Sequence, residues 1–68
     1  MYTVMEIIVE NTGESGCIVY ETLSYHCAVE AVKAIAERNN HSFSHYYAVC
    51  GGDIRTLYFD CYGEMMSF

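Results

Sequence analysis

Apolar and polar positions alternate along residues 2 to 10, Tyr-Thr-Val-Met-Glu-Ile-Ile-Val-Glu, and the β-branched content predicts a strand. Asn11-Thr12-Gly13-Glu14-Ser15-Gly16 follows with turn chemistry, and residues 17 to 23 predict a second strand. Pairing Glu10 with Cys17 across that loop sets Val9 against Ile18, Ile7 against Tyr20 and Met5 against Thr22, which gives a coherent buried face. The same register sets Glu6 opposite Glu21 on the other face, with Glu10 one step along. Like charges facing each other across strands destabilise by up to ~1 kcal/mol, so folding alone gives little reason to keep this pair. The plainer account is that the two acids splay into solvent.

The period then changes. Tyr25, Ala28, Val29, Val32, Ile35 and Ala36 recur at helical spacing, with His26, Glu30, Lys33 and Glu37 opposite them, so an amphipathic helix is predicted from Tyr25 to Arg38. Ser24 is its expected N-cap, and Asn39-Asn40 ends it because Asn tolerates the left-handed conformation. Lys33 is spaced for weak surface ion pairs with Glu30 and Glu37.

Two aromatic-rich runs follow, residues 42 to 50 and 54 to 62, joined by Gly51-Gly52-Asp53. Pairing Cys50 with Ile54 through a three-residue loop puts Phe43, Tyr47 and Val49 on one face with Leu57, Phe59 and Cys61. A one-residue shift would bring Asp60 into that face, which argues against a two-residue loop. In this register Cys50 and Cys61 lie at different ends of the hairpin, too far apart for a disulfide. The order is β-β-α-β-β. Alternating strand direction makes strand three the neighbour of strand one, so the expected fold is α+β in two layers: a four-stranded antiparallel sheet of order 2-1-3-4 with one helix on one face. Met65, Met66 and Phe68 in the tail are expected to cover a sheet edge or the open face, or to add a short fifth strand.

Composition supports a folded chain, since 53% of residues are apolar and 15% aromatic. Residues 1 to 68 are expected to form one domain with a small core, because a chain of this size buries only about 60% of its unfolded surface. No apolar run approaches the roughly 20 residues of a membrane span, and Met1 leads directly into the alternating segment without a basic n-region. A cytoplasmic protein is expected. Cys17, Cys27, Cys50 and Cys61 are then expected as thiols, and with no C-x-x-C pair, and only His26 and Cys27 close in sequence, no metal or other cofactor is expected. Cys27 or Cys50 could be imagined with His45 as a nucleophile and base. Free cysteine is more often a small buried hydrophobe, and a two-layer domain of this size lacks depth for a water-excluding cleft, so no enzyme is expected.

Charge narrows the partners. Nine carboxylates stand against three cations, giving a formal charge of -6, and the acids are spread through structured segments. Such a chain is repelled by nucleic acid and anionic membrane and attracted to basic surfaces. The face predicted to stay open carries Val4, Glu6, Ile8, Glu10, Cys17, Val19, Glu21, Ser44, Tyr46, Ala48, Thr56, Tyr58 and Asp60. Its apolar and tyrosine content points to contact with a partner. The competing account, given equal weight, is that these tyrosines complete a small core or lie under the tail. Base stacking on the rings is excluded by charge, because Lys33, Arg38 and Arg55 make no groove for phosphates.

A short, acidic chain with this β-β-α-β-β order resembles the small phage-encoded anti-CRISPR proteins that inhibit type I interference complexes. The resemblance covers Tyr2 to Tyr62 and lies in size, charge and element order. It implies an inhibitor that docks on a basic DNA-recognition surface, with carboxylates in place of phosphates, and blocks access of the target duplex or its PAM. The candidate partner-binding residues are Glu6, Glu10, Glu14 and Glu21 on the first hairpin, Asp53 and Asp60 on the second, and Tyr46 and Tyr58 as anchors. The alternative is a small structural or regulatory subunit that assembles with itself through the apolar face. Either a monomer or a homodimer fits the sequence.

Overall fold

The computed structural model describes residues 1–52 and 54–66, with the backbone alone for Ile54. The elements are β1 (Tyr2–Glu10), β2 (Gly13–Thr22), α1 (Tyr25–Arg38), β3 (His45–Gly51) and β4 (Ile54–Phe59). The strands form one antiparallel sheet of order β2-β1-β3-β4, and α1 packs on one face of it in the expected α+β arrangement.

α1 begins and ends where its sequence signals place it. The Ser24 hydroxyl accepts from the Cys27 N–H at 3.2 Å, supplying an acceptor to one of the orphan donors of the first turn. Ala28, Val32, Ile35 and Ala36 are buried, and Tyr25 sits at the rim with its ring edge-on to Tyr2 at 5.8 Å. At the other end Asn40 and His41 both adopt positive φ, 56° and 53°. Their N–H groups donate to the carbonyls of Glu37 and Ala36, which closes the helix. This end is tied to the sheet. The Asn39 amide donates to the Tyr47 hydroxyl at 3.0 Å, and His41 Nδ1 lies 3.2 Å from the Cys61 carbonyl while its ring stacks on Tyr62 at 5.0 Å. On the helix surface His26 Nε2 lies 3.9 Å from Glu30 Oε1, an ion pair only when the imidazole is protonated; among the described residues, neither Glu30 nor Glu37 comes within ion-pair distance of Lys33.

The core joins these helix residues to Val4, Tyr47, Val49 and Phe59, with Tyr2, Val19 and Leu57 packed against it. Three expectations about the strands are corrected. First, β2 starts at Gly13 rather than Cys17: Glu10 pairs with Gly13 across Asn11-Thr12, a two-residue turn in place of a six-residue loop. Glu6 therefore faces Cys17, and Glu21 faces Thr3, so the opposed carboxylates Glu6 and Glu21 do not exist as a pair. Val19 is an extra residue between Ile18, which faces Met5, and Tyr20, which faces Val4; this bulge turns Val19 onto the core.

Second, β1 presents the opposite face to the helix. Val4 pairs with Val49 and Glu6 with Tyr47, so the even positions of β1 lie on the helix side and Met5, Ile7 and Val9 on the open side. The central position of β1 decides this. Turning the odd positions inward would put Tyr46 and Ala48 under the helix and expel Tyr47 and Val49, the larger apolar pair.

Third, the second hairpin closes between Gly51 and Ile54 with only two residues between them. A register shift between Val49 and Gly51 restores the side-chain parity, so Tyr47 and Val49 still face Phe59 and Leu57. The sequence argument against a two-residue loop took no account of such a bulge. Gly51 has φ 137°, and a Cβ there would overlap the Met1 carbonyl, so the close approach of the N-terminus needs glycine. β3 begins at His45, and Phe43, expected inside, is 87% exposed in the preceding turn.

Beyond β4 the chain turns and runs back along its outer edge. Phe59 bridges antiparallel to Met65, the Asp60 N–H donates to the Glu64 carbonyl at 2.9 Å, and the Met66 N–H donates to the Tyr58 carbonyl at 2.8 Å. The Asp60 carboxylate holds this turn by accepting from the N–H groups of Tyr62 and Glu64 at 2.9 and 3.0 Å. Gly63, at φ 80°, lets the turn press on α1, since a Cβ would come 3.1 Å from the Lys33 Cα.

Candidate protein-docking surface

The face of the sheet away from α1 is built from the odd positions of β1 and their partners. Met5 lies between Ile18 and Ala48, Ile7 between Gly16 and Tyr46, and Ala48 continues to Tyr58 on β4. Val9 faces Glu14 at one end, and Thr3 lies between Glu21 and Cys50 at the other. An apolar band thus crosses all four strands. Gly16 leaves a gap in it that the side chains of Met5 and Ile7 border, 3.5 and 3.6 Å from where its Cβ would stand. Ile18 is 59% and Val9 43% exposed, so the β1–β2 end of this band meets water.

Polar groups are set into the band. The Tyr46 hydroxyl donates to Glu14 Oε1 at 3.0 Å, and the Tyr46 ring lies 6.3 Å from that of Tyr58, tilted by 47°. Partial burial, with the acceptor and negative charge of Glu14 adding to it, raises the Tyr46 phenol above its ordinary value. The phenol stays a donor at neutral pH, and the residues that meet here are thirty-two positions apart in sequence.

The expected site residues divide. Glu14, Glu21, Tyr46 and Tyr58 share the open face. Glu10, expected on the open face, is an even position of β1 and so on the helix side, exposed at the tip of the first hairpin. Glu6, expected among the open-face acids, is on the helix side; its carboxylate is half-buried and 3.5 Å from His45 Nε2, an ion pair when the imidazole is protonated. Val4 and Val19, expected on the open face, belong to the core. Asp60 is occupied by the backbone of its own turn, and Asp53 lies outside the described residues. Met5, Ile7, Val9 and Ile18 were read as core; their alternation was visible, but which side it faced was not.

The remaining polar chemistry does not converge. On the helix side, His45 Nδ1 meets the Ser44 hydroxyl at 3.1 Å, which meets that of Ser42 at 2.9 Å. Cys50 pairs with Thr3 on the open side and so faces away from His45, while Cys27 is exposed in the first turn of α1. Among the described residues there is no pocket, no group of three or more metal-ligating side chains, and no helix long and apolar enough to cross a membrane. No protein-family model, curated protein or solved structure matches the chain.

Proposed function

We propose that this chain is a binding protein without catalysis of its own, which docks through the open face of its sheet onto a partner surface with an apolar centre and basic surroundings. The observation that carries this reading is the apolar band of Met5, Ile7, Val9, Ile18 and Tyr46, exposed to water at Val9 and Ile18, with Glu14 and Glu21 at its margins. An antiparallel sheet covered on one side ordinarily turns polar residues to the other, and an apolar band left there marks a contact surface. Tyrosine rings beside carboxylates suit arginine on the partner, through the ring faces as well as the charge. A formal charge of -6 speeds encounter with such a surface.

In its narrower form the partner is a type I CRISPR interference complex, and the chain inhibits it by occupying a basic DNA-recognition surface. Size, charge and element order support that form; the acidic pair Glu6 and Glu21 no longer does. Self-assembly through the same face is disfavoured, because the cations that would meet a second copy's carboxylates are few: Lys33 and Arg38 are on α1, and Arg55 is on β4. Sedimentation at rising concentration checks this, with a monomer expected.

The test is phage plating on a host with an active type I complex. Expression of the chain should restore plating, and the double variant Glu14→Lys, Glu21→Lys should abolish the effect while melting like the parent. Glu30→Lys on the helix should change little. A folded double variant that still inhibits fully would remove the open face from the mechanism, and a parent chain that leaves interference intact would remove the CRISPR partner.

A further inference from the structure

We propose that the outer edge of β2 takes up an extended, basic segment of a partner protein by strand addition. The two edges of the sheet are unlike. The outer edge of β4 is met at its C-terminal end by the chain's own tail, through the Phe59–Met65 bridge and the hydrogen bonds at Tyr58 and Asp60. β2 stands at the other end of the strand order, and among the described residues no strand lies outside it. Alternate N–H and C=O groups of an edge strand point away from its neighbour, so β2 presents a row of backbone donors and acceptors.

Sheets commonly blunt such an edge with proline, lysine, a short strand or a bulge. β2 is ten residues long, Gly-Glu-Ser-Gly-Cys-Ile-Val-Tyr-Glu-Thr, and has neither proline nor lysine. Its bulge at Val19 comes late. From Gly13 to Ile18 the strand runs in unbroken register with Glu10 to Met5, and each of these six residues is exposed. Such a stretch spans roughly 20 Å, enough for an added strand of ordinary length.

Charge selects the occupant. Glu14 lies within this stretch, with Glu21 beyond the bulge and Glu10 at the tip, all exposed. A second copy would bring its own formal charge of -6 against these carboxylates, which opposes self-pairing. An arginine- or lysine-bearing segment meets the same carboxylates favourably. Beside Gly16, its side chain can reach over the missing Cβ to Met5 and Ile7, which favours an apolar residue there. The occupant is therefore an extended segment in which basic and apolar residues are mixed, held by main-chain hydrogen bonds and selected by charge.

This edge contact shares Glu14, Glu21, Met5 and Ile7 with the open face but depends on the main chain of β2, and one experiment distinguishes the two. The probe is a capped peptide of about ten residues alternating arginine and valine, added to the full chain while amide hydrogen exchange is followed residue by residue. Exchange should slow at least about tenfold at alternate amides between Gly13 and Ile18, with β4 and the tail unchanged. A glutamate–valine peptide should give no protection, and neither should the arginine–valine peptide N-methylated at alternate backbone nitrogens. The double variant Tyr46→Ala, Tyr58→Ala, which removes the open-face anchors, should keep the edge protection. Absence of peptide-induced protection at Gly13–Ile18 overturns the proposal. Equal protection by the N-methylated peptide overturns it in favour of charge alone, and concentration-dependent protection without peptide, with a dimer in sedimentation, overturns it in favour of a second copy.

Discussion

In the β3–β4 hairpin Tyr47, Ala48, Val49 and Phe59 are buried, whereas among the described residues of β1–β2 only Val4 is, and Gly13 to Ile18 are exposed throughout. Both hairpins close with two residues between the paired ends, and both carry a bulge that resets the side-chain parity. They differ in what covers them. α1 lies over β1, β2 and β3, whereas the tail bonds to the end of the outer edge of β4, so the second hairpin is held at its outer edge and the first is not. Stability is thereby concentrated in one half of the sheet, leaving the other half free to carry exposed apolar and acidic residues with little cost to folding.

Truncation is the strongest way to break this contrast. Phe59→Ala should cost about 3–5 kcal/mol, through lost burial and the cavity left among Tyr47 and the helix. A chain of this size has a total stability of roughly 3–10 kcal/mol, so that variant should lose about a third of it or more. Ile18→Ala on β2 should lower the unfolding free energy by no more than about 0.5–1 kcal/mol, measured by urea denaturation. Equal costs at the two positions would mean that the hairpins share the core evenly.

Alkaline pH probes the same half. Burial raises the Tyr47 phenol above the ordinary 10.0, with Glu6 adding to the rise and the hydrogen bond from Asn39 opposing it. The folded value lies above the unfolded one, so the contribution of the neutral phenol is fully present below pH 10.0 and is lost as pH rises through the folded value. Thermal melts should be flat in this respect up to about pH 10 and fall above it, and Tyr47→Phe should flatten the fall at the expense of the hydroxyl's bond to Asn39. Tyr46 titrates in the same direction, so the double change Tyr46→Phe, Tyr47→Phe should flatten it further.

The smallest effect is expected at the protected edge. Asp60→Ala removes the acceptor for the Tyr62 and Glu64 N–H groups and should cost about 1 kcal/mol, the scale of a lost cap. Hydrogen exchange at Met66, whose N–H is bonded to the Tyr58 carbonyl, should rise more than the global stability falls. If it does not, the tail is held by something other than the Asp60 turn.

The helix and the second hairpin were legible in the sequence for local reasons. Ser24, the stripe from Ala28 to Ala36 and Asn39-Asn40 each act within a few residues of themselves, and the structure has α1 at Tyr25–Arg38 as they indicate. Tyr47, Val49, Leu57 and Phe59 are so much bulkier than the residues between them that their shared face survives an error in loop length. The first hairpin had no such dominance. β1 is apolar at both parities, with Val4 and Ile8 on one and Met5, Ile7 and Val9 on the other, and its own alternation does not choose between them. The candidate site inherited that ambiguity. Tyr46, Tyr58 and Glu21 were placed on the open face, but Glu14 was left in the connecting loop, the apolar residues between them were assigned to the core, and Glu6 and Glu10 to the wrong side.

By itself the sequence determined the number and order of elements, the ends of the helix, the strand order 2-1-3-4 and the net charge. Each of these depends on local propensity, on chain direction or on simple counting, and none requires knowing what lies across the sheet. Only the tertiary structure decided which face of β1 is buried, which carboxylates stand near the tyrosines and which sheet edge is left open. Those outcomes follow from β1 pairing with two strands at once: one residue of register inverts a whole face, and the bulges that correct it leave no mark in the alternation of a single strand.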